Sequence, residues 1–289
     1  MKRFGQIMFC FLPPLLAFGI QQLISIPAVG IALLKAMMDN TTLNGATYSF
    51  VNNMMSSTFL ELVNICYGLT ALAVFAFWFC KKFRNTERQS FTRSFHPWII
   101  VGIVLCVIGL QYLSNYIVTF TAMIHEEWLD YYLSLIEMAG LDDSVSLIMS
   151  AYSVLVAPIC EELIFRGVTM QYAKKAMPFW VANLFQALLF GIYHMNVIQG
   201  VYAFVIGIVL GYICEKGGSI YLSILFHILF NLWGVFAPEW FMYGGDTLLF
   251  FFLWLFVGAL LLTGGILLYN RGVKIRNNEV NNFCQPTDM

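Results

Sequence analysis

Apolar residues run along this chain in long blocks separated by short polar stretches, rather than alternating with polar ones. A helix that crosses a bilayer needs about 20 predominantly apolar residues. Blocks at 5–34, 58–80, 97–122, 146–171, 179–197, 198–214, 219–237 and 247–270 predict eight such helices. The fold class this pattern predicts is all-α, a polytopic transmembrane bundle of about eight spans. The first block follows Lys2 and Arg3 as a leader peptide would, but it is too long and lacks a small-residue cleavage site, so it reads as a retained span. Pro13, Pro14 and Pro27 predict kinks within it. Gly200, Gly207 and Gly211 in the sixth block favour close helix contact.

Composition agrees. Of the 289 residues, 60% are hydrophobic and 11% charged, against about 25% charged in a soluble domain. The formal net charge of -1 leaves no basic excess for nucleic acid. Cys10, Cys66, Cys80, Cys106, Cys160, Cys214 and Cys284 are scattered with no C-x-x-C spacing, as small apolar residues rather than a disulfide or zinc framework.

Lysine and arginine set the orientation. With the N-terminus inside, the cytoplasmic segments carry Lys2 and Arg3; Lys81, Lys82, Arg84, Arg88 and Arg93; Lys174 and Lys175; Lys216; and Arg271, Lys274 and Arg276. Only Lys35 falls outside, and Arg166 lies within a span. The loop between spans three and four holds Glu126, Glu127, Asp130, Glu137, Asp142 and Asp143 with no basic residue. Both termini are therefore expected in the cytoplasm. Residues 1–270 read as one membrane domain and 271–289 as a mobile cytoplasmic tail.

The informative residues break the apolar rule. A charge at the bilayer centre costs about 2.5–3.5 kcal/mol on insertion scales, yet the fourth span carries Glu161, Glu162 and Arg166. The fifth carries Phe190 and His194, and the seventh His227 and Asn231. Glu162 and Arg166 are four apart and share a helix face, whereas Glu161 is turned about 100° away. One carboxylate can thus be held by arginine while the other stays free for a proton. His227 and Asn231 share a face, as do Phe190 and His194. A buried glutamate, two imidazoles and a carboxamide suit peptide hydrolysis, with an activated water and donors for the oxyanion. A zinc ion held by Glu161, His194 and His227 with an open fourth position is an equally consistent way to activate that water.

These three blocks resemble the CAAX-protease and bacteriocin-processing (CPBP, or Abi) intramembrane proteases. The family pattern is E-E-x-x-x-R, then F-x-x-x-H, then H-x-x-x-N or H-x-x-x-D on successive membrane helices. Here it reads Glu161, Glu162 and Arg166, then Phe190 and His194, then His227 and Asn231, and the likeness covers 146–237. The resemblance implies that Glu161 is the general base and His194 helps activate the water. It implies that His227 and Asn231 stabilise the oxyanion, Glu162 and Arg166 support the site, and Phe190 shapes the pocket. It also implies a membrane-associated protein or peptide as substrate, a multi-pass protein of a bacterial plasma membrane, and roles in bacteriocin self-immunity, peptide maturation or signalling. Members are described both as metalloproteases and as metal-free glutamate enzymes, so zinc stays open.

Two other readings compete: a membrane immunity or binding protein that needs no proteolysis, and a proton-coupled transporter, against which stands the absence of an internal repeat. One geometric tension also arises. Counted from the cytoplasmic ends, Glu161 and His227 lie about eight or nine residues deep and His194 about fifteen, a mismatch on the order of 10 Å. A tilted or late-starting fifth helix would have to absorb it.

Overall fold

The computed structural model of the protein describes residues 2–40, 42–54, 56–138, 146–237 and 247–283. Among them every regular element is a helix: α1 (Lys2–Asp39), α2 (Leu43–Met54), α3 (Ser57–Lys82), the one-turn α4 (Phe91–Ser94), α5 (Pro97–Ile124), α6 (Glu126–Met138), α7 (Leu147–Ala176), α8 (Phe179–Tyr193), α9 (Val197–Gly217), α10 (Ile220–Phe236) and α11 (Leu248–Phe283), with a turn of 3-10 helix at Arg84–Thr86. Six are long and apolar enough to cross a membrane: α1, α3, α5, α7, α9 and α11. The fifth and seventh predicted spans are the shorter apolar helices α8, of 15 residues, and α10, of 17.

α7 is the helix around which the site is built. It departs from α geometry twice, widening to π turns at Tyr152–Val156 and Leu163–Thr169. Pro158 explains the first. Proline has no N–H, and its ring collides with the carbonyl four residues back unless the turn opens. The Ala157 N–H accordingly reaches five residues back, to Tyr152 O. Every residue from Leu163 to Thr169 is buried, so α7 is covered on all sides there, with α1, α3, α8 and α10 among its neighbours.

Two close helix pairs frame α7. α8 and α9 form an antiparallel hairpin in which Gly191 lies against Gly200; a Cβ on Gly191 would sit 2.5 Å from the Gly200 carbonyl oxygen. α5 and α11 approach through Gly102 and Gly109 on one side and Gly265 and Gly272 on the other. Backbone contact of this kind stands in for the hydrophobic drive that lipid does not provide.

Three sequence expectations are corrected. α7 does not end near 171 but runs to Ala176, because Met170–Ala173 remain buried against the bundle. The acidic loop after the third span contains a helix, α6, with Glu126 and Glu127 in its first turn, where the helix dipole favours them; Asp142 and Asp143 lie outside the described residues. The expected mobile tail is, as far as Phe283, the end of α11. Arg276 is the reason: its guanidinium, 4% exposed, donates to Ser94 O at 3.0 Å and Gly217 O at 2.8 Å. Val273 is buried beside it. Residues 284–289, with Cys284, lie outside the described residues.

Candidate active site

The longer α7 removes the depth mismatch. Glu161 and His194 each stand fifteen residues from the α7–α8 turn, at Ala176 and Phe179 respectively, so the two antiparallel helices bring them to one level. His227 starts from the turn at Gly218–Ser219, which shares a small polar cavity with Gln171 and Lys174 and so begins inside the level of Ala176. Gly218 makes that turn possible, with φ 70°.

Glu162 and Arg166 are both 0% exposed and form an ion pair at 2.9 Å, Nη1 to Oε1. The same Oε1 faces His227 Nδ1 at 2.9 Å, and it accepts the proton when that nitrogen carries one. Glu162 thus orients the imidazole as a carboxylate does in other histidine sites. That directs the other nitrogen, Nε2, at Glu161, 3.6 Å from Oε2. The gap is too long for a direct hydrogen bond, and both atoms can reach one water or reacting oxygen that lies beside them. Glu161 keeps 19% of its side-chain surface exposed, whereas its neighbour has none. The two adjacent carboxylates are therefore divided as their rotation on the helix suggests: one locked, one accessible.

Phe190 is the hub of the apolar side. The Arg166 guanidinium lies 4.5 Å from its ring centroid. His194 and His227 meet the ring edge-to-face at 4.8 and 5.8 Å. His194 caps the C-terminus of α8, with Nδ1 2.8 Å from Phe190 O. The chain then turns through Met195, φ 54°, and Asn196 caps α9 by accepting from the Gln199 N–H. Burial of the Arg166–Glu162 pair against an aromatic ring and the Gly207 carbonyl, 3.4 Å from Nη2, compensates charges that lipid would reject.

Asn231 is brought to α7 rather than to Glu161: its Nδ2 donates to Ser153 O at 2.8 Å. One of its two N–H donors is committed there. The second N–H and the side-chain oxygen take no part in that bond.

The sequence reading missed a further contact. The hydroxyls of Tyr67 on α3 and Tyr193 on α8 are hydrogen-bonded to each other. Cys160, next to Glu161, donates to Gly68 O, next to Tyr67, at 3.2 Å. This ties α3 to α7 and α8 at the level of Glu161. Nothing in the spacing of Tyr67 marks it; only the crossing of the helices does.

Glu161, His194 and His227 are not gathered as a zinc site in this structure. Among the described residues no three His, Cys, Asp or Glu side chains assemble as a metal-holding group. His227 and His194 each have Nδ1 engaged, by Glu162 and by Phe190 O, which leaves Nε2 of each ring for a water or a reacting group. The site is accordingly described through its protein groups.

Residues 143–233 match the family model of the type II CAAX prenyl endopeptidases, Rce1-like. The matched segment contains all seven site residues and α7 to α10 almost entire. The match supports an intramembrane protease of the general CAAX type in a multi-pass membrane protein. No protein of curated function and no solved structure matches the chain.

Proposed function

We propose that this CAAX-protease-type segment is an endopeptidase that cleaves a membrane-associated protein or peptide with a water activated by Glu161. The observation that carries the proposal is the unequal pair on α7. Glu162 is buried and held through Oε1 by Arg166 and His227, while Glu161 stands open across a 3.6 Å gap from His227 Nε2.

In the reaction, a water held between Glu161 and His194 attacks the scissile carbonyl and gives its proton to the Glu161 carboxylate. His227, oriented by Glu162, presents Nε2–H to the developing oxyanion when both ring nitrogens are protonated, and the uncommitted N–H of Asn231 supports it. Glu161 then passes the proton to the leaving amine, so water is consumed and no other co-reactant is needed. Arg166 keeps Glu162 ionised and fixed. Phe190 walls the imidazoles from lipid. Maturation of a secreted peptide, bacteriocin self-immunity and signalling at a bacterial plasma membrane are the roles this activity would serve.

The test is cleavage by purified protein of a panel of lipidated and unmodified fluorogenic peptides. Glu161→Gln should lower turnover by about 10²–10⁴. If Glu161→Gln and His227→Ala both cleave at the wild-type rate, the mechanism is wrong. In cells, a folded Glu161→Ala protein that still confers the wild-type phenotype would favour a binding role instead.

A further inference from the structure

Away from the site, two lysines share one aromatic platform at the ends of α3 and α7. Tyr172 and Phe83 are buried, 6% and 1% exposed, and meet edge-to-face at 5.0 Å. Phe9 of α1 stacks on Tyr172 at 5.8 Å and Trp78 of α3 meets its edge at 6.1 Å, so the platform is held from two further sides. Lys82 Nζ lies 5.0 Å from the Tyr172 centroid. Lys175 Nζ lies 5.2 Å from the same centroid and 4.8 Å from that of Phe83.

The adjacent Lys174 is ion-paired with Glu215. Among the described residues, neither Lys82 nor Lys175 has a carboxylate at ion-pair distance. Two ammonium groups drawn to one ring repel each other, and the arrangement gains most from an anion between them. A contact with a ring face occupies one side of an ammonium group and leaves N–H donors pointing away from the ring. Beside the platform the surface is apolar: Phe4, Met8, Phe9 and Phe77 are 70%, 53%, 51% and 65% exposed.

We propose that Lys82 and Lys175, held on Tyr172 and Phe83, bind the headgroup phosphate of an anionic phospholipid whose acyl chains lie along Phe9 and Phe77. Paired cations above an apolar strip match a lipid better than a free anion, which has no use for the strip. The lysines also stand at the ends of apolar helices, where headgroups lie. The site is separate from the protease chemistry and stands whether or not the chain cleaves peptides.

Native mass spectrometry of the full-length protein tests this directly. The protein, in detergent, is offered equimolar palmitoyl-oleoyl phosphatidylglycerol and phosphatidylcholine. Wild type should retain phosphatidylglycerol preferentially. Lys82→Gln and Lys175→Gln should each lower that preference about fivefold, the effect of one interfacial charge. Lys35→Gln, at another exposed lysine far along the chain on α1, should leave it unchanged. An unchanged preference in both platform variants, or an equal fall in Lys35→Gln, overturns the proposal.

Discussion

The Asn231 carboxamide closes a hydrogen bond that α7 itself cannot make. Its Nδ2 meets Ser153 O at 2.8 Å. In an α-helix that carbonyl would accept from the Ala157 N–H, but the π turn directs Ala157 to Tyr152 O. The next candidate, residue 158, is proline and has no N–H. The carbonyl released by the π turn and the proline is therefore satisfied from α10, and the strain that re-aims α7 is tied to a site residue 78 positions away.

This makes Asn231→Ala a stability variant as well as an activity one. Stranding the Ser153 carbonyl should cost about 1–3 kcal/mol. Pro158→Ala restores an N–H that can reach Ser153, so the cost of Asn231→Ala should be smaller in that background. Thermal unfolding in detergent across the four combinations measures the coupling. Additive effects would show that the two are unconnected. Cleavage should fall with Asn231→Ala in both backgrounds, by about 10²–10³ if its remaining N–H serves the oxyanion.

Arg166→Met should be the most destabilising single change at the site. It leaves Glu162 buried without its cationic partner and with only His227 beside it, a loss of about 3–5 kcal/mol. Arg166→Lys should recover only part, because an ammonium cannot match both the carboxylate and the face of Phe190. Glu161→Gln, at a partly exposed position, should leave the unfolding temperature close to wild type while abolishing cleavage. Temperature and activity together separate the locked carboxylate from the open one.

Gly191→Ala should act on the chemistry from a distance. The added Cβ would stand 2.5 Å from Gly200 O, so α8 and α9 must move apart. The expected cost is about 1–3 kcal/mol, with a fall in turnover because His194 lies three residues on. The same change at Gly19, where a Cβ meets nothing within 4 Å, should do neither. Unfolding temperature and initial rate report both.

Stability should carry a small pH signature from Glu87, in the loop before α4. Burial pushes its carboxyl above the usual carboxylate range, opposed by the Ile220 N–H, at 2.8 Å, by Ser219 and by the Arg88 charge. A raised carboxyl binds its proton more tightly in the folded chain. Its contribution is fully present at low pH and is lost as pH rises from the unfolded value through the folded one. Glu87→Gln keeps an acceptor for Ile220 and removes the titration. The variant should therefore gain on wild type as pH rises across that window and match it in pH dependence elsewhere, as read by unfolding temperature against pH.

Much of this molecule follows from local sequence. Whether a segment is a membrane-length helix depends on the apolar content of its own 20 or so residues, so all eight long blocks became helices. Scarcity of charge made Glu161, Glu162 and Arg166 conspicuous, and their rotation on one helix anticipated that only one carboxylate would be held. Other features depend on partners distant in the chain. The α7 terminus and the ordered end of α11 come from burial against other helices, which outweighs the polar character of residues such as Lys174 and Arg276. The Tyr67–Tyr193 bond, the clamp of Asn231 on Ser153 and the aim of His227 between two glutamates each join separate helices. Helix periodicity assigns a residue to a face but not the helix that face will meet; glycine contacts and the π turns of α7 set that, and with it the geometry of the site.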